Sequence, residues 1–137
     1  MAANTRMATA IQILCVIAYK GGDGTNSEIV AKSLRTNPVV VRRLLKSMQQ
    51  QGLVEIRPGK DGGVQLACAP DRITLEQIYQ AVEGDPAVFA LRPRGNPNCP
   101  VAASMKGLLG PVFQAADDAV GSTLRRTTLG SLVKAVR

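Results

Sequence analysis

The sequence contains no histidine and no tryptophan, and only two tyrosines and two phenylalanines among its 137 residues. The absence of histidine excludes His-ligated zinc sites and every general-base scheme that depends on an imidazole. So few aromatic side chains also argue against a platform on which single-stranded bases would stack. Since no acid pair with a catalytic partner and no nucleophile with a neighbouring base occur either, we expect a protein that is not an enzyme.

Cysteine is also scarce, with three residues (Cys15, Cys68 and Cys99) and no C-x-x-C spacing. This pattern fits neither the disulfide framework of a secreted protein nor a closed zinc site. Apolar runs stay far below the roughly 18 residues that a membrane span needs, and the N-terminal segment lacks the plan of a signal peptide. We therefore expect no bound metal, no membrane partner and a reducing, cytoplasmic location.

Positive charge is abundant and unevenly distributed. The chain has 17 Lys and Arg against 10 Asp and Glu, which gives a net charge of +7. Residues 26–60 hold seven basic and two acidic side chains, and thus five of these seven net charges. This concentration suggests a polyanionic partner, although charge alone would equally fit a basic face that is merely solvated.

The first half of the chain predicts three helices. Apolar residues at helical spacing mark a helix over about residues 4–20. A shorter helix follows, capped by Asn26 or Ser27, with its inward face formed by Ile29, Val30 and Leu34. A third helix extends to a C-terminal glycine at Gly52. Its inward stripe consists of Val41, Leu44, Leu45 and Met48.

A β-hairpin is predicted directly after the third helix. Residues 53–57 and 64–68 each alternate between apolar and polar side chains, and the glycine-rich segment 58–63 lies between them. Such a segment readily forms a tight turn. A hairpin attached to a helix-turn-helix is a wing. We therefore predict a mainly α fold with a small β-hairpin wing, namely a winged helix-turn-helix.

The second half predicts a long helix that serves dimerisation. A helix that Asp71 and Thr74 can cap ends near Gly84, and the proline-rich residues 86–100 form an irregular connector. From residue 101 onward apolar residues repeat every three to four positions, with a kink or restart expected near Pro111 and a last short helix over residues 129–136 that packs back. This apolar surface exceeds what a small domain can cover, so we expect a partner subunit rather than a monomer that folds the helix onto itself. The predicted division is 1–85, DNA-binding domain; 86–100, connector; 101–137, helical dimerisation region.

The wing and the helix after it resemble one known family. The motifs are Arg57-Pro58-Gly59-Lys60-Asp61-Gly62-Gly63-Val64, then Ile73-Thr74-Leu75, then Val82-Glu83-Gly84. They are similar to those of the Rrf2 (Rrf-two) family of bacterial winged-helix transcription regulators. The resemblance implies a homodimer that binds a palindromic double-stranded DNA operator and whose long C-terminal helices cross at the dimer interface. We expect a repressor.

The sequence departs from the family where its best-known branches bind an iron–sulfur cluster. Those branches carry three closely spaced cysteines just before the long helix, whereas this chain has only Cys99 there. The resemblance is therefore to a cluster-free branch, and we expect no cofactor. The effector stays open: oxidation of the Cys99 thiol at the hinge, where a following helix N-terminus would stabilise a thiolate, or a small metabolite. Cys15 and Cys68 lie at inward positions and are expected in the core.

The resemblance also places the recognition helix, which begins at Asn37-Pro38. Asn37, Arg42 and Arg43 lie near its exposed first turns, where Arg would suit guanine and Asn would suit adenine in the major groove. Lys46 is expected to contact a phosphate. Each of these side chains could instead be ordinary solvated surface.

The wing offers two further DNA contacts, Arg57 and Lys60. Both are expected to reach the adjacent minor groove or its phosphates. A winged helix that binds RNA or another protein is the remaining alternative. The recognition-helix arginines together with a basic wing favour duplex DNA over that alternative.

Overall fold

The computed structural model describes residues 4–21, 24–59 and 62–136. Within them the chain forms six α-helices and one antiparallel two-stranded sheet, with a 3-10 turn at Pro70–Arg72. The elements follow in the order α1 (Arg6–Tyr19), α2 (Ser27–Leu34), α3 (Pro38–Gln50), β1 (Val54–Arg57), β2 (Gly63–Leu66), α4 (Leu75–Val82), α5 (Pro100–Arg125) and α6 (Leu129–Ala135). The predicted order of elements is confirmed, including the wing. None of the described helices is both long and apolar enough to cross a membrane.

Local capping determines where the helix-turn-helix pair begins and turns. The side-chain oxygens of Asn26 and Asn37 accept hydrogen bonds from backbone N–H groups in the first turns of α2 and α3, at 2.9 and 2.8 Å. Each cap satisfies a donor that the helix itself leaves unpaired. Between the two helices Arg35 adopts a left-handed conformation, with φ 53° and ψ 48°, which ends α2. The turn is therefore only three residues long, 35–37.

The wing is held against the start of α2 by a close backbone approach. In the sheet, Val54 lies opposite Leu66 and Ile56 opposite Val64. The Val64 N–H donates to the Thr25 carbonyl at 2.9 Å. A Cβ atom at Gly63 would lie 2.6 Å from that same carbonyl oxygen, so only glycine permits this contact. This contact gives Gly63 a packing role.

The core lies between α1, α3 and α4, with contributions from α2, the wing and α6. The four residues predicted to form the inward stripe of α3 are all buried: Val41, Leu44, Leu45 and Met48. On α1 the sequence predicts an inward stripe of Met7, Ile11, Leu14, Cys15 and Ala18. Of these only Leu14 is fully buried, together with Ala10, Ile13 and Ile17, and the other four are partly buried at the edge of the core. On α2, Val30 and Ala31 are buried whereas Ile29 is exposed, so its predicted inward position was wrong.

Pro111 predicts a kink or a restart near Gly110; helix α5 is continuous through Pro111, so the restart does not occur. A proline in a helix removes the hydrogen bond to the carbonyl four residues earlier, here Gly107. Both residues are exposed, and water can therefore satisfy the carbonyl that lacks its donor.

The C-terminal segment packs back onto the core, as predicted. Leu129 is completely buried, and its N–H donates to the Ile73 carbonyl at 2.7 Å. The N–H of Leu75 donates in turn to Thr127, so residues 127–129 pair with the segment that leads into α4. A capping box between Thr74 and Gln77 starts α4 at the same place. The end of the chain therefore stabilises the start of α4.

We predict that Leu129→Ala lowers the free energy of unfolding by about 2–5 kcal/mol, because it leaves a cavity in a core that cannot fully collapse. Urea unfolding of both proteins at one protein concentration measures the difference. Val136→Ala is the control, since it removes an exposed apolar side chain near the end of the same helix. Equal unfolding midpoints for all three proteins would contradict the packing described for α6.

Candidate DNA-binding interface and hinge

The basic residues of α3 lie on the side of the helix that faces away from the core. Arg42, Arg43 and Lys46 are all exposed. Their exposure follows from the amphipathic pattern of α3, because the opposite face of the helix is buried in the core. This side of α3 is therefore free to contact a partner over its whole length.

A groove between α3 and the wing brings three of the predicted DNA-contact residues together. Arg42 and Lys46 from α3 and Arg57 from β1 line one concavity of about 380 Å³. In the part of the chain that the structure describes, the ion pairs are Arg6–Glu83, Arg125–Glu76 and Lys134–Asp71, and none involves these side chains. Their charge is thus available to an anionic ligand. Arg43 does not line the groove, and Lys60 lies outside the described residues.

Asn37 and Pro38 form the start of the recognition helix rather than its exposed reading face. The Asn37 side-chain oxygen caps α3 through the Val39 N–H, and Pro38 occupies the first turn. This oxygen would be the acceptor in a bidentate contact with adenine. The predicted base contact of Asn37 would therefore have to share this oxygen with the cap of α3.

Sequence reasoning missed two exposed apolar residues in the first turn of α3. Val39 is 49% exposed and Val40 is 39% exposed. The signal was present in the sequence, since neither valine belongs to the inward stripe at 41, 44, 45 and 48. Of the three consecutive valines only Val41 is buried.

The connector is tied to α4 and α5 by specific contacts. The Tyr79 hydroxyl donates to the Pro86 carbonyl, and Asp117 accepts a hydrogen bond from the Val88 N–H at 2.7 Å. The Phe89 ring packs against Phe113 with 5.4 Å between ring centroids. Burial, reinforced by nearby carboxylates, raises the pKa of Tyr79, which extends towards higher pH the range in which its hydroxyl can donate.

A two-pronged ion pair joins α4 to the C-terminal end of α5. The Arg125 guanidinium donates to both carboxylate oxygens of Glu76, at 2.8 and 2.7 Å. These hydrogen bonds hold the pKa of Glu76 below its usual range. Beside the pair lies a cavity of about 660 Å³ that is walled by α4, the connector and α5.

Cys99 stands at the junction of the connector and α5. It is the N-cap residue of α5, and its side chain makes no capping hydrogen bond. Its thiol is free and partly exposed. Cys15 and Cys68 are also free but pack against the hydrophobic core, as predicted, and burial raises the pKa of the Cys15 thiol.

The N-terminal half of α5 presents an apolar face that its own chain leaves uncovered. No residue of α5 is fully buried, and Leu108 and Val112 are 61% and 59% exposed. Val101 continues this face by two helical turns towards the connector. The contacts of α5 with α4 are made by the other half, where Asp117 and Arg125 lie.

Comparison with known proteins gives a family match over almost the whole chain. The sequence model of the family Rrf2, described as an iron-dependent transcriptional regulator, matches residues 3–135. YwnA of Bacillus subtilis (strain 168), assigned as an HTH-type transcriptional regulator, is 35% identical over 126 residues, 92% of each chain. YwgB of the same organism carries the same assignment and is 29% identical over 125 residues, 90% of this chain and 71% of its own.

Solved structures share the fold. A protein assigned as DNA-binding superposes with a TM-score of 0.75 at 32% identity, covering 93% of this chain and 97% of its own. CymR, the global cysteine regulator of B. subtilis, superposes with a TM-score of 0.72 at 23% identity, covering 100% of this chain and 99% of its own. IscR of T. potens superposes with a TM-score of 0.70 at 18% identity, covering 98% of this chain and 87% of its own. At these lower identities the likeness concerns the fold alone.

The family description refers to iron, and the described residues do not fit an iron–sulfur cluster. Such clusters are held by several thiolates that converge on one point. Within residues 4–21, 24–59 and 62–136, no group of three His, Cys, Asp or Glu side chains could hold a metal ion. Cys99 lies in the connector region, whereas Cys15 is on α1 and Cys68 follows the wing.

Three observations converge on one identity. The fold is a winged helix-turn-helix followed by a long helix. The basic side chains of Arg42, Lys46 and Arg57 line a groove between the recognition helix and the wing. The family match spans residues 3–135. Its relatives are assigned as transcription regulators and not as enzymes. The chain therefore belongs to the Rrf2 family of DNA-binding, winged-helix transcriptional regulators.

Proposed function

We propose that this regulator is a homodimeric repressor that binds a palindromic operator, with α3 in the major groove and the wing on the adjacent backbone. The observation that carries the proposal is the groove in which Arg42, Lys46 and Arg57 meet. Three cations without carboxylate partners in the described chain suit the negative potential of duplex DNA. Here residues 1–85 act as the DNA-binding unit, 86–100 as the connector and 101–137 as the dimerisation region.

The roles of the basic residues follow from where they lie. Arg42 and Arg43 project from the exposed side of α3, where a guanidinium can donate two hydrogen bonds to guanine. Lys46 lies one turn further along α3, and Arg57 belongs to the wing, so both are assigned to phosphates. Lys60 of the wing tip is assigned to the neighbouring minor groove or its phosphates, as the sequence predicts.

The homodimer is supported by the uncovered face of α5. Two copies that pair through Val101, Leu108 and Val112 would bury apolar side chains that a monomer exposes to water. A two-fold axis would then repeat the recognition helix, and an operator of matching symmetry has half-sites about 34–36 Å apart. Repression follows if the bound dimer covers the promoter.

Oxidation of Cys99 is the first candidate for the signal. A thiolate attacks the O–O bond of a peroxide, is oxidised to sulfenate and releases water or an alcohol after protonation of the leaving oxygen. Because Cys99 is the N-cap of α5, a polar, bulkier sulfur would alter the turn between connector and dimerisation helix. A small metabolite is the second candidate, and the observation that favours it is the cavity of about 660 Å³ beside the connector.

We predict that Arg42→Ala changes sequence preference, with a loss of about 1–3 kcal/mol confined to the base pair it reads. Lys46→Ala should instead weaken binding to every duplex and lower the slope of log K against log salt by about 1. The measurement is a fluorescence-anisotropy titration against duplex from upstream of the protein's own gene, beside a scrambled duplex, at several salt concentrations.

Arg92→Ala is the charge-matched control for both variants, since Arg92 is an exposed cation of the connector. It should leave affinity and preference close to those of the unmodified protein. If all three variants weaken binding alike, net charge and not the groove is responsible. A protein that prefers an RNA or a protein partner would bind neither duplex selectively.

We predict that Val112→Glu raises the dissociation constant of the dimer by about a hundredfold or more, because a two-fold interface receives the uncompensated carboxylate twice. Sedimentation velocity over a concentration series measures this. Lys106→Glu is the control, since Lys106 lies two residues from Leu108 and hence on the other side of α5. An unmodified protein that stays monomeric throughout the series would refute the dimer.

We predict that treatment with hydrogen peroxide releases the unmodified protein from its operator and that Cys99→Ser abolishes this response without weakening binding under reducing conditions. Anisotropy before and after oxidation gives the result. Cys68→Ala is the matched control, because its thiol packs against the core and its loss should leave the response intact. Release of the Cys99→Ser variant by peroxide would eliminate the thiol as sensor and leave the cavity as the effector site.

A further inference from the structure

The first turn of α3 presents two aliphatic side chains to the partner of this helix. Val39 and Val40 are 49% and 39% exposed, although the inward stripe of α3 is complete without them. They share a face with the arginines, since Arg43 lies four residues after Val39 and three after Val40. The N-terminal residues of a recognition helix are those that contact base edges. These valines therefore occupy reading positions.

The polar groups of the same turn are largely committed to the helix itself. The Asn37 oxygen accepts from the Val39 N–H at 2.8 Å, and Pro38 has no N–H to donate. A bidentate contact between Asn37 and adenine would require that oxygen. What the first turn offers to a base edge is therefore mainly the methyl groups of the two valines.

We propose that Val39 and Val40 read the 5-methyl groups of thymine in the operator. The proposal rests on the function proposed above, in which α3 enters the major groove. The thymine methyl is an apolar group on the major-groove edge of the bases, and aliphatic side chains bind it by excluding water. A β-branched residue in a helix has essentially one side-chain rotamer, so a valine loses little conformational entropy on contact.

The geometry also places these thymines relative to the guanine contacts. Val39 and Arg43 are separated by about one helical turn, or about 5.4 Å along α3. Successive base pairs are spaced by about 3.4 Å along a strand. The thymines read by the valines should thus lie within about two base pairs of the guanine read by an arginine.

The test begins with an operator selected by the full-length protein from a pool of randomised duplexes. Each thymine of the selected site is then replaced by deoxyuridine, which removes the methyl group and keeps base pairing unchanged. Loss of one buried methyl should weaken binding about fourfold, at one or two positions of each half-site. Anisotropy titration of each duplex gives the ratio of dissociation constants.

The same duplexes are titrated with Val39→Ala, Val40→Ala and the double variant. The fourfold penalty for deoxyuridine should disappear at the position read by the replaced valine and persist elsewhere. Val136→Ala, which shortens another exposed valine far along the chain, should show the full penalty at every position. If an alanine variant loses all measurable affinity, Val→Thr, which keeps one methyl group, replaces it in the comparison.

The outcomes separate this inference from the proposed function. A protein that selects no sequence from the pool refutes operator recognition itself. A protein that selects a site but binds deoxyuridine and thymine equally at every position recognises its operator without the methyl groups, and the inference is overturned. It is equally overturned if the penalty persists in the double variant, because another group then reads the methyl.

Discussion

Burial of one face of α3 is the constraint on which the rest of the molecule depends. Val41, Leu44, Leu45 and Met48 lie in the core, each with almost no exposed surface. A rotation of α3 by one residue would carry Arg42 into the core and move an apolar side chain out of it. Burial of an unpaired guanidinium is so unfavourable that this rotation does not occur. The core thus fixes the direction in which the basic face points. The exposure of Arg42, Arg43 and Lys46 is thus a consequence of how the opposite face packs.

The wing depends on α3 and α2 in the same way. Gly63 allows the wing backbone to approach the Thr25 carbonyl, where the Val64 N–H forms its hydrogen bond. That contact anchors the wing at the start of α2, so Arg57 of β1 shares a groove with Arg42 of α3. A side chain at position 63 would separate the two elements. Gly63 therefore determines where Arg57 of the wing lies relative to α3.

On the far side of the molecule, a few polar and aromatic contacts hold α4, the connector and α5 together. Glu76 and Arg125 join α4 to α5, while Asp117 and Phe113 hold the connector against α5. These contacts are polar or solvent-accessible, and such contacts are exchanged more cheaply than a dry core. A signal that alters the N-cap of α5 or fills the adjacent cavity would act on these contacts rather than on the hydrophobic core beneath α3.

The sequence by itself determined the order of the elements and the limits of the helix-turn-helix and the wing. Helical periodicity, the Asn37 cap and the glycine-rich turn act over a few residues, so the helix-turn-helix and the wing could be predicted without knowledge of their neighbours. Tertiary structure decided the exact buried face of α1, the exposure of Ile29 and the continuity of α5 through Pro111. It also decided that Arg42, Lys46 and Arg57 meet, because residues on separate elements acquire a distance only when those elements pack. The periodicity of apolar residues predicts that a segment is a helix with one buried face. Which residues lie at the centre of that face depends on the elements that pack against it.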